Sequence, residues 1–222
     1  MYRRRRYYYG KARKTVRRYK RRYPIRKVKT KSKYDQVHLV KRYGSLVDRD
    51  GNPVEYIANP ASSQSYSFYF RLQNVTGYTD FTNLYDQYKI RAVKVSFIPM
   101  VNVTTADQSG YASLIYSTYD FNGTDINPTR NQIREYQYCK WSPYGKIHKR
   151  YFFPRTIESV SGLAPSGSTT KVGPQNWIST ASPEVRYHGL LVSVANVPSI
   201  VDEDIPIYKI EVKYYLSFKN TK

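Results

Sequence analysis

The chain has 222 residues, of which 40% are hydrophobic, and it carries 37 Lys and Arg against 16 Asp and Glu, for a formal net charge of +21. This length suits one large domain with an appendage, and the single cysteine excludes an intramolecular disulfide. The charged N-terminus lacks an apolar signal segment, and no apolar run approaches the roughly 18 residues that span a bilayer, so we expect a soluble, intracellular protein with no membrane insertion.

The positive charge is concentrated at the N-terminus. Residues 1–33 contain ten Arg, seven Lys and no acidic residue, whereas residues 34–222 contain 20 basic and 16 acidic residues. Residues 1–33 have no apolar stripe and their like charges repel one another, so we expect a disordered arm that precedes a folded domain at 34–222. Clustered cations favour a polyanionic partner, because they release the counterions condensed on phosphates.

The arm combines two kinds of side chain that bind nucleic acid. Arginine matches phosphate oxygens bidentately, and tyrosine stacks on unpaired bases. We therefore predict that the arm binds single-stranded nucleic acid, DNA or RNA, without reading its sequence, through Arg3, Arg4, Arg5, Arg6, Tyr7, Tyr8, Tyr9, Lys11, Arg13, Lys14, Arg17, Arg18, Tyr19, Lys20, Arg21, Arg22, Arg26 and Lys27. The same composition is typical of a nuclear localisation signal, and the two roles are compatible. The alternative is a tail that only solubilises the protein.

Eight β-strands are predicted after the arm. Period-2 alternation is clearest at 65–73 and at 208–218, where apolar residues occupy every second position. Weaker patterns predict strands at 36–47, 90–98, 112–119, 135–141, 147–153 and 187–195. Within 90–98 the apolar phase shifts between Ala92 and Val93, which indicates a bulge or burial on both sides.

Two segments depart from the strand pattern. Phe81, Leu84, Tyr85 and Tyr88 recur at helical spacing after Asp80, which predicts one short amphipathic helix capped by Asp80; the alternative is an irregular loop packed by aromatic residues. Residues 156–176 are rich in Ser, Gly, Thr and Pro and are predicted to form a long surface loop. Since no long helices separate the strands, we expect an all-β sandwich, barrel or jelly roll.

The sequence offers no arrangement of residues typical of catalysis, so we expect no enzyme, no cofactor and no metal site. His38, His148 and His188 lie on separate predicted strands without paired cysteines. Cys139 is expected to be a small buried residue rather than a nucleophile. Asp202, Glu203 and Asp204 could coordinate a hard cation, although a solvated turn accounts for them more simply.

Four separated segments resemble the capsid (coat) proteins of circoviruses and related viruses with small circular single-stranded DNA. Residues 88–99 resemble that family's YxIxxVxVxFxP strand, and the others are residues 149–155, residues 177–194 with His188-Gly189-Leu190, and residues 208–218. The resemblance implies an eight-stranded antiparallel jelly roll of two four-stranded sheets. It further implies that about sixty copies form a closed T=1 icosahedral shell, with the arm inside and the inter-strand loops outside.

Charge, strand pattern and resemblance together lead us to expect a viral capsid protein of the virion, present in the host nucleus during assembly. It would assemble with itself and package circular single-stranded DNA through the arm. Further expected partners are the host nuclear import machinery and a host-cell surface glycan or receptor. The alternatives are a non-viral nucleic-acid-binding protein with a basic tail and a carbohydrate-binding jelly roll whose tyrosines line a sugar site.

Overall fold

Fourteen strands form two antiparallel sheets in the part of the chain that the structure describes, together with two short α-helices and one 3-10 turn at Leu72–Asn74. The computed structural model describes residues 37–48, 50–100, 114–121, 128–160, 169–172, 176–195 and 205–221. The helices are α1 (Tyr78–Leu84) and α2 (Arg130–Glu135). The strands are β1 (His38–Gly44), β2 (Leu46–Val47), β3 (Pro53–Val54), β4 (Tyr56–Ala58), β5 (Gln64–Phe70), β6 (Tyr85–Pro99), β7 (Leu114–Thr118), β8 (Lys140–Pro143), β9 (His148–Phe152), β10 (Arg155–Val160), β11 (Thr169–Val172), β12 (Ile178–Ser179), β13 (Tyr187–Val194) and β14 (Pro206–Thr221). Within these ranges, neither helix has the length and apolar character needed to cross a membrane.

The first sheet has four main strands in the order β1-β14-β6-β9, and every pair is antiparallel. The pairing of β14 with β6 runs from Tyr208 opposite Pro99 to Thr221 opposite Tyr85. Short strand β4 pairs with β14, and β12 pairs with the first part of β6. The two longest strands therefore form the centre of this sheet.

The second sheet has four main strands in the order β5-β13-β7-β8. Strand β10 pairs with the first residues of β13 and carries β11 on its other edge, while β2 and β3 continue the sheet beyond β5. The main strands are the two four-stranded sheets expected for a jelly roll. The additional short strands bring the sheets to six and eight strands.

The two sheets pack against each other through an aromatic core. The six apolar positions predicted for the C-terminal strand are all buried, namely Tyr208, Ile210, Val212, Tyr214, Leu216 and Phe218. Phe70 of β5 places its ring 6.1 Å from that of Tyr214 and 5.5 Å from that of Phe152, so it contacts two strands of the opposite sheet. Burial of each such side chain contributes about 1.5–3 kcal/mol, and the core therefore holds the sheets face to face.

Most of the predicted strands are confirmed, and the bulge near Ala92 is present. Strand β6 is longer than predicted and begins at Tyr85. Tyr215 pairs with Ala92 and Leu216 pairs with Ile90, so Arg91 is the extra residue of β6. This shift explains why Ala92 and Val93 are both buried although they are adjacent in the sequence.

The predicted strand at 135–141 is wrong over most of its length. Glu135 ends helix α2, and β8 begins only at Lys140. Thr129 and Gln132 start the helix with a capping box: Thr129 Oγ1 accepts from the Gln132 amide at 3.3 Å, and Gln132 Oε1 accepts from the Thr129 amide at 2.7 Å. This local signal outweighs the short alternation that follows it.

The predicted helix after Asp80 is present but lies closer to the N-terminus. Helix α1 begins after Gly77, whose φ of 71° is in the left-handed region, and Asp80 lies in the first turn instead of capping the helix. The rings of Phe81 and Tyr85 stack on Phe218 at centroid distances of 4.8 and 5.3 Å. Since Tyr85 belongs to β6, the aromatic spacing reflects packing on β14 by two different elements.

The prediction of a loop throughout 156–176 is also wrong. Strands β10 and β11 pair from Ile157 opposite Val172 to Val160 opposite Thr169. Several of their residues are Thr, Ile or Val, whose branched side chains favour strands, and this preference outweighs the neighbouring Ser and Gly. Residues 161–168 and 173–175 of this segment lie outside the described residues.

Candidate nucleic-acid interface

The residues predicted to bind nucleic acid lie outside the described residues. All eighteen of them, from Arg3 to Lys27, precede Val37, at which the described chain begins. The boundary between arm and folded domain at residue 33 falls there as well. Within the described ranges, the candidate interface is therefore sought on the surface of the sandwich.

The side of the first sheet that faces away from the second sheet is rich in cations and aromatic rings, and we call it the basic face. Alternation along each strand turns the following cations to this side: Lys41, Lys89, Arg91, Lys94, Lys149, Lys209, Lys213 and Lys219. Among the outward positions of β1, β6, β9 and β14, Glu211 is the one carboxylate, and its Oε1 lies 3.9 Å from Lys209 Nζ. The face therefore has a large excess of positive charge.

Tyrosines and lysines share a row across this sheet. The register sets Tyr43 opposite Lys213, Lys213 opposite Lys94, and Lys94 opposite Tyr151, so one row of these four residues crosses β1, β14, β6 and β9. Side chains directly opposite on one side of a sheet lie about 5 Å apart at Cβ. The row thus places two cations between two aromatic rings.

Cation–π contacts hold several lysine ammonium groups near rings. Lys213 Nζ lies 5.2 Å from the ring centroid of Tyr43, and Lys41 Nζ lies 5.8 Å from that of Tyr215. At the far end of the face, Lys219 and Lys89 approach the ring of Trp177 to 4.8 and 5.9 Å.

The cations also influence one another. Burial, together with the nearby charge of Arg91, lowers the pKa of Lys89. A bound phosphate would relieve this repulsion between like charges, so the basic face is electrostatically suited to a polyanion.

The histidines lie on three separate strands, as predicted, and His148 is the most buried of them. Its Nε2 lies 2.6 Å from Ser117 Oγ and its Nδ1 lies 2.8 Å from Ser142 Oγ. Burial, with Lys140 and Arg150 nearby, lowers its pKa to about 4. These contacts join β9 of the first sheet to β7 and β8 of the second, so the role of His148 is structural.

The other candidates for reactive chemistry pack against aromatic and apolar side chains. His188 packs edge-on against the ring of Tyr69 at 4.8 Å. Cys139 is partly buried beside Tyr116 and Ile133, and this burial raises the pKa of its thiol. In the described part of the chain, no three His, Cys, Asp or Glu side chains come together as metal ligands would. Asp202, Glu203 and Asp204 lie outside the described residues.

The sequence predicted the arm as a nucleic-acid interface, and the basic face was not predicted from it. The polar positions of the C-terminal strand, Lys209, Glu211, Lys213, Tyr215, Ser217 and Lys219, were recognisable as outward-facing. The available signal was that, apart from Glu211, the charged residues at these positions and at the outward positions of residues 87–96 are all basic. Sheet order was needed to see that they share one surface.

The segments with a family resemblance correspond to parts of the fold. Residues 88–99, 149–155 and 208–218 belong mainly to β6, β9 and β14, and residues 177–194 contain β12 and β13. The model of the circovirus capsid protein family matches residues 1–222. The chain belongs to the circovirus capsid protein family. No curated protein matches it by sequence.

Solved capsid structures share the fold of this circovirus capsid protein. The crystal structure of the 60-mer BFDV capsid protein is 13% identical, with a TM-score of 0.59 over 85% of this chain and 96% of that chain. The decameric BFDV capsid protein is 13% identical, with a TM-score of 0.51 over 83% and 100% of the two chains. Tobacco necrosis virus is 10% identical, with a TM-score of 0.51 over 84% and 97%. At these identities the similarity establishes the jelly-roll fold.

Family membership decides between the classes of function considered for the sequence. The chain is a viral capsid protein and hence a structural component of the virion. The non-viral nucleic-acid-binding protein and the carbohydrate-binding jelly roll are thereby set aside as its main function.

Proposed function

We propose that this capsid protein assembles into a closed icosahedral shell of about sixty copies and packages circular single-stranded DNA through its basic arm. The observation that carries the proposal is the separation of charge: residues 1–33 hold seventeen cations and no carboxylate, whereas the remaining chain is nearly balanced. Clustered cations of this kind bind phosphates through counterion release, without sequence readout.

Three further observations support the proposal. The BFDV capsid protein, which shares the fold, crystallised as a 60-mer. Six tyrosines lie among the arm cations and provide rings for unpaired bases. The basic face adds cations and rings on a sheet whose edge strand, β1, follows the arm in the chain.

The decisive experiment changes the charge of the arm and leaves the jelly roll intact. All ten arm arginines are replaced by glutamine in one variant and by lysine in a matched control. Particles of the full chain are treated with nuclease, and the protected nucleic acid per particle is measured. We expect the glutamine variant to lose most of its protected DNA, because most of the arm's charge is gone, and the lysine variant to retain most of it.

The outcome that contradicts the packaging role is equal protection of DNA in wild type and glutamine variant. If both variants lose packaging equally, the bidentate arginine fork is required and charge alone does not explain binding. Negative-stain images of the same preparations separate a packaging defect from an assembly defect.

We also propose that residues 1–33 direct the protein to the host nucleus during assembly, by binding the import machinery. The same basic clusters support this role. A fluorescent protein fused to residues 1–33 should accumulate in nuclei, and the arginine-to-glutamine version should not. Equal nuclear accumulation of the two fusions would contradict the proposal.

A further inference from the structure

A groove on the basic face combines an apolar interior with a cationic rim. Its volume is about 320 Å³, and Ala92 lies at its floor. It is bordered by Leu39, Lys41, Arg91, Tyr151, Phe153 and Tyr215.

The bulge in β6 creates the groove. Since Arg91 is the extra residue, Ala92 pairs with Tyr215 and occupies the outward position of the next row. Its methyl group is small, whereas its neighbours on β1, β9 and β14 are large. These neighbours surround Ala92, which is 2% exposed, and the groove lies between their side chains.

The walls of the groove expose much apolar surface. Leu39 is 66% exposed, Phe153 55% and Tyr151 52%. The ring of Tyr151 lies 5.7 Å from that of Tyr215 and 5.7 Å from that of Phe153, both edge-on. Apolar side chains that line a groove are typical of a binding site, and partly exposed aromatic rings suit a flat aromatic ligand.

The charge around the groove identifies the ligand class. Lys41 and Arg91 stand at the rim, and Lys94 and Lys213 lie in the neighbouring row. The groove lining contains no carboxylate. Exposed rings beside cations are what single-stranded nucleic acids require, because bases stack on the rings while phosphates pair with the cations.

A second copy of the chain is a less suitable occupant. It would bring further positive charge, and lysine is depleted at the centres of protein interfaces. A nucleic acid strand, in contrast, would bring negative charge to these cations.

We propose that the groove binds an unpaired base of the packaged strand, stacked on Tyr215 or Tyr151, with the adjoining phosphates on Lys41 and Arg91. The inference rests on the proposed packaging function and gives the folded domain its own contact with the genome. It places the basic face toward the interior of the shell.

The test compares oligo(dT) with an abasic oligonucleotide of equal length, both bound to the full chain. In the Tyr151→Ala/Tyr215→Ala variant, we expect affinity for oligo(dT) to fall by about 5- to 150-fold, the range for losing one stacked base. Affinity for the abasic strand should remain unchanged. The Tyr151→Phe/Tyr215→Phe variant retains the rings and should bind like wild type, as should Tyr138→Ala, which removes an exposed tyrosine on a different surface.

Photo-crosslinking locates the base directly. Oligo(dT) containing 5-iododeoxyuridine is irradiated with the full chain, and the adducts are mapped by mass spectrometry; we expect adducts at Tyr151, Phe153 or Tyr215. Adducts confined to residues 1–33, with unchanged affinity in the double alanine variant, would overturn the inference. Loss of shell formation with unchanged oligonucleotide binding would overturn it too, by assigning the groove to a second copy. Wild-type protein that binds neither oligonucleotide would instead refute the packaging function itself.

Discussion

His148 connects the two sheets through serines on both sides of its ring. Neutral imidazole can accept from one hydroxyl and donate to the other, which matches the short contacts to Ser117 and Ser142. Protonation would leave a charge in the core with Lys140 and Arg150 nearby, and for this reason the pKa is depressed to about 4.

This histidine makes the stability of the subunit depend on pH. Its folded-state pKa of about 4 lies below the ordinary 6.5, so its contribution is fully present above 6.5 and is lost as the pH falls toward 4. Between pH 7 and pH 5 we expect the wild-type subunit to lose about 2 kcal/mol of unfolding free energy through His148. Denaturant unfolding of unassembled wild type and His148→Gln at both pH values measures it. An identical pH dependence in the two proteins would contradict the assignment. The His148→Gln variant should still lose some stability at low pH through His188, because burial also lowers the pKa of His188 to about 4.

The buried hydroxyl of Tyr214 provides a second test at this scale. It donates to the backbone carbonyl of Ser45 at 2.7 Å, and the side chain has no exposure to solvent. Tyr214→Phe keeps the ring but leaves that carbonyl without this donor, so we expect a loss of about 1–2 kcal/mol in unfolding free energy. Tyr215→Phe is the matched control on the basic face and should change stability by less than about 0.5 kcal/mol. Equal effects of the two substitutions would show that the bond to Ser45 contributes nothing.

Strand β13 contains an irregularity that depends on one glycine. Its pairing with β5 shifts between Tyr187 and Leu190, and Gly189 within this shift has a φ of +148°. A Cβ atom at Gly189 would lie 2.8 Å from Phe152 Cε2 and 3.1 Å from Phe121 Cε1. The backbone of β13 therefore passes close to aromatic rings that belong to the core.

Two glycine substitutions separate this crowding from the backbone preference. Gly145 also has a positive φ, of 88°, but a Cβ there would have no neighbour within 4 Å. For Gly145→Ala we therefore expect a loss of about 1 kcal/mol in unfolding free energy, from the backbone preference alone. Gly189→Ala adds the contact with Phe152, and overpacking typically costs about 1–3 kcal/mol more. Thermal or denaturant unfolding of both variants checks the difference. A smaller loss for Gly189→Ala than for Gly145→Ala would contradict the crowding.

The elements that the sequence predicted best are those with one buried side. The C-terminal strand alternates between core and basic face along its length, so the pattern identifies both its type and its phase. Prediction failed where a local signal or a tertiary contact decided the outcome, as in the capping box of Thr129 and the stacking of Phe81 and Tyr85 on Phe218. The groove over Ala92 was not predictable, because it depends on which strands are neighbours and on the register of a bulge.

At the scale of the whole molecule, charge explains why a folded domain and an arm occur in one chain. Sixty arms with seventeen cations each would bring on the order of a thousand positive charges into a shell, enough to neutralise a similar number of phosphates. In the proposed shell, the jelly roll would provide the geometry that brings many arms together, and the basic face would extend the cationic lining onto the domain. A single-stranded genome of roughly one to two thousand nucleotides suits this charge.

Packaging by these contacts should be sensitive to salt. The logarithm of the affinity for single strands is expected to fall linearly with the logarithm of salt concentration, with a slope of about −0.7 per phosphate contacted. Titrations of oligo(dT) with wild type and with the arginine-to-glutamine variant at several salt concentrations measure the two slopes, and the variant should have the shallower one. Equal slopes would show that the arm does not contact the phosphates.

The mass of nuclease-treated particles tests the central claim most directly. Sixty copies of the 26.1 kDa chain give a protein shell of about 1.6 MDa. Mass photometry of the purified full chain should show one population at that mass plus the mass of a protected single strand. A protein that stays monomeric across salt and pH, with or without single-stranded DNA, would contradict the account.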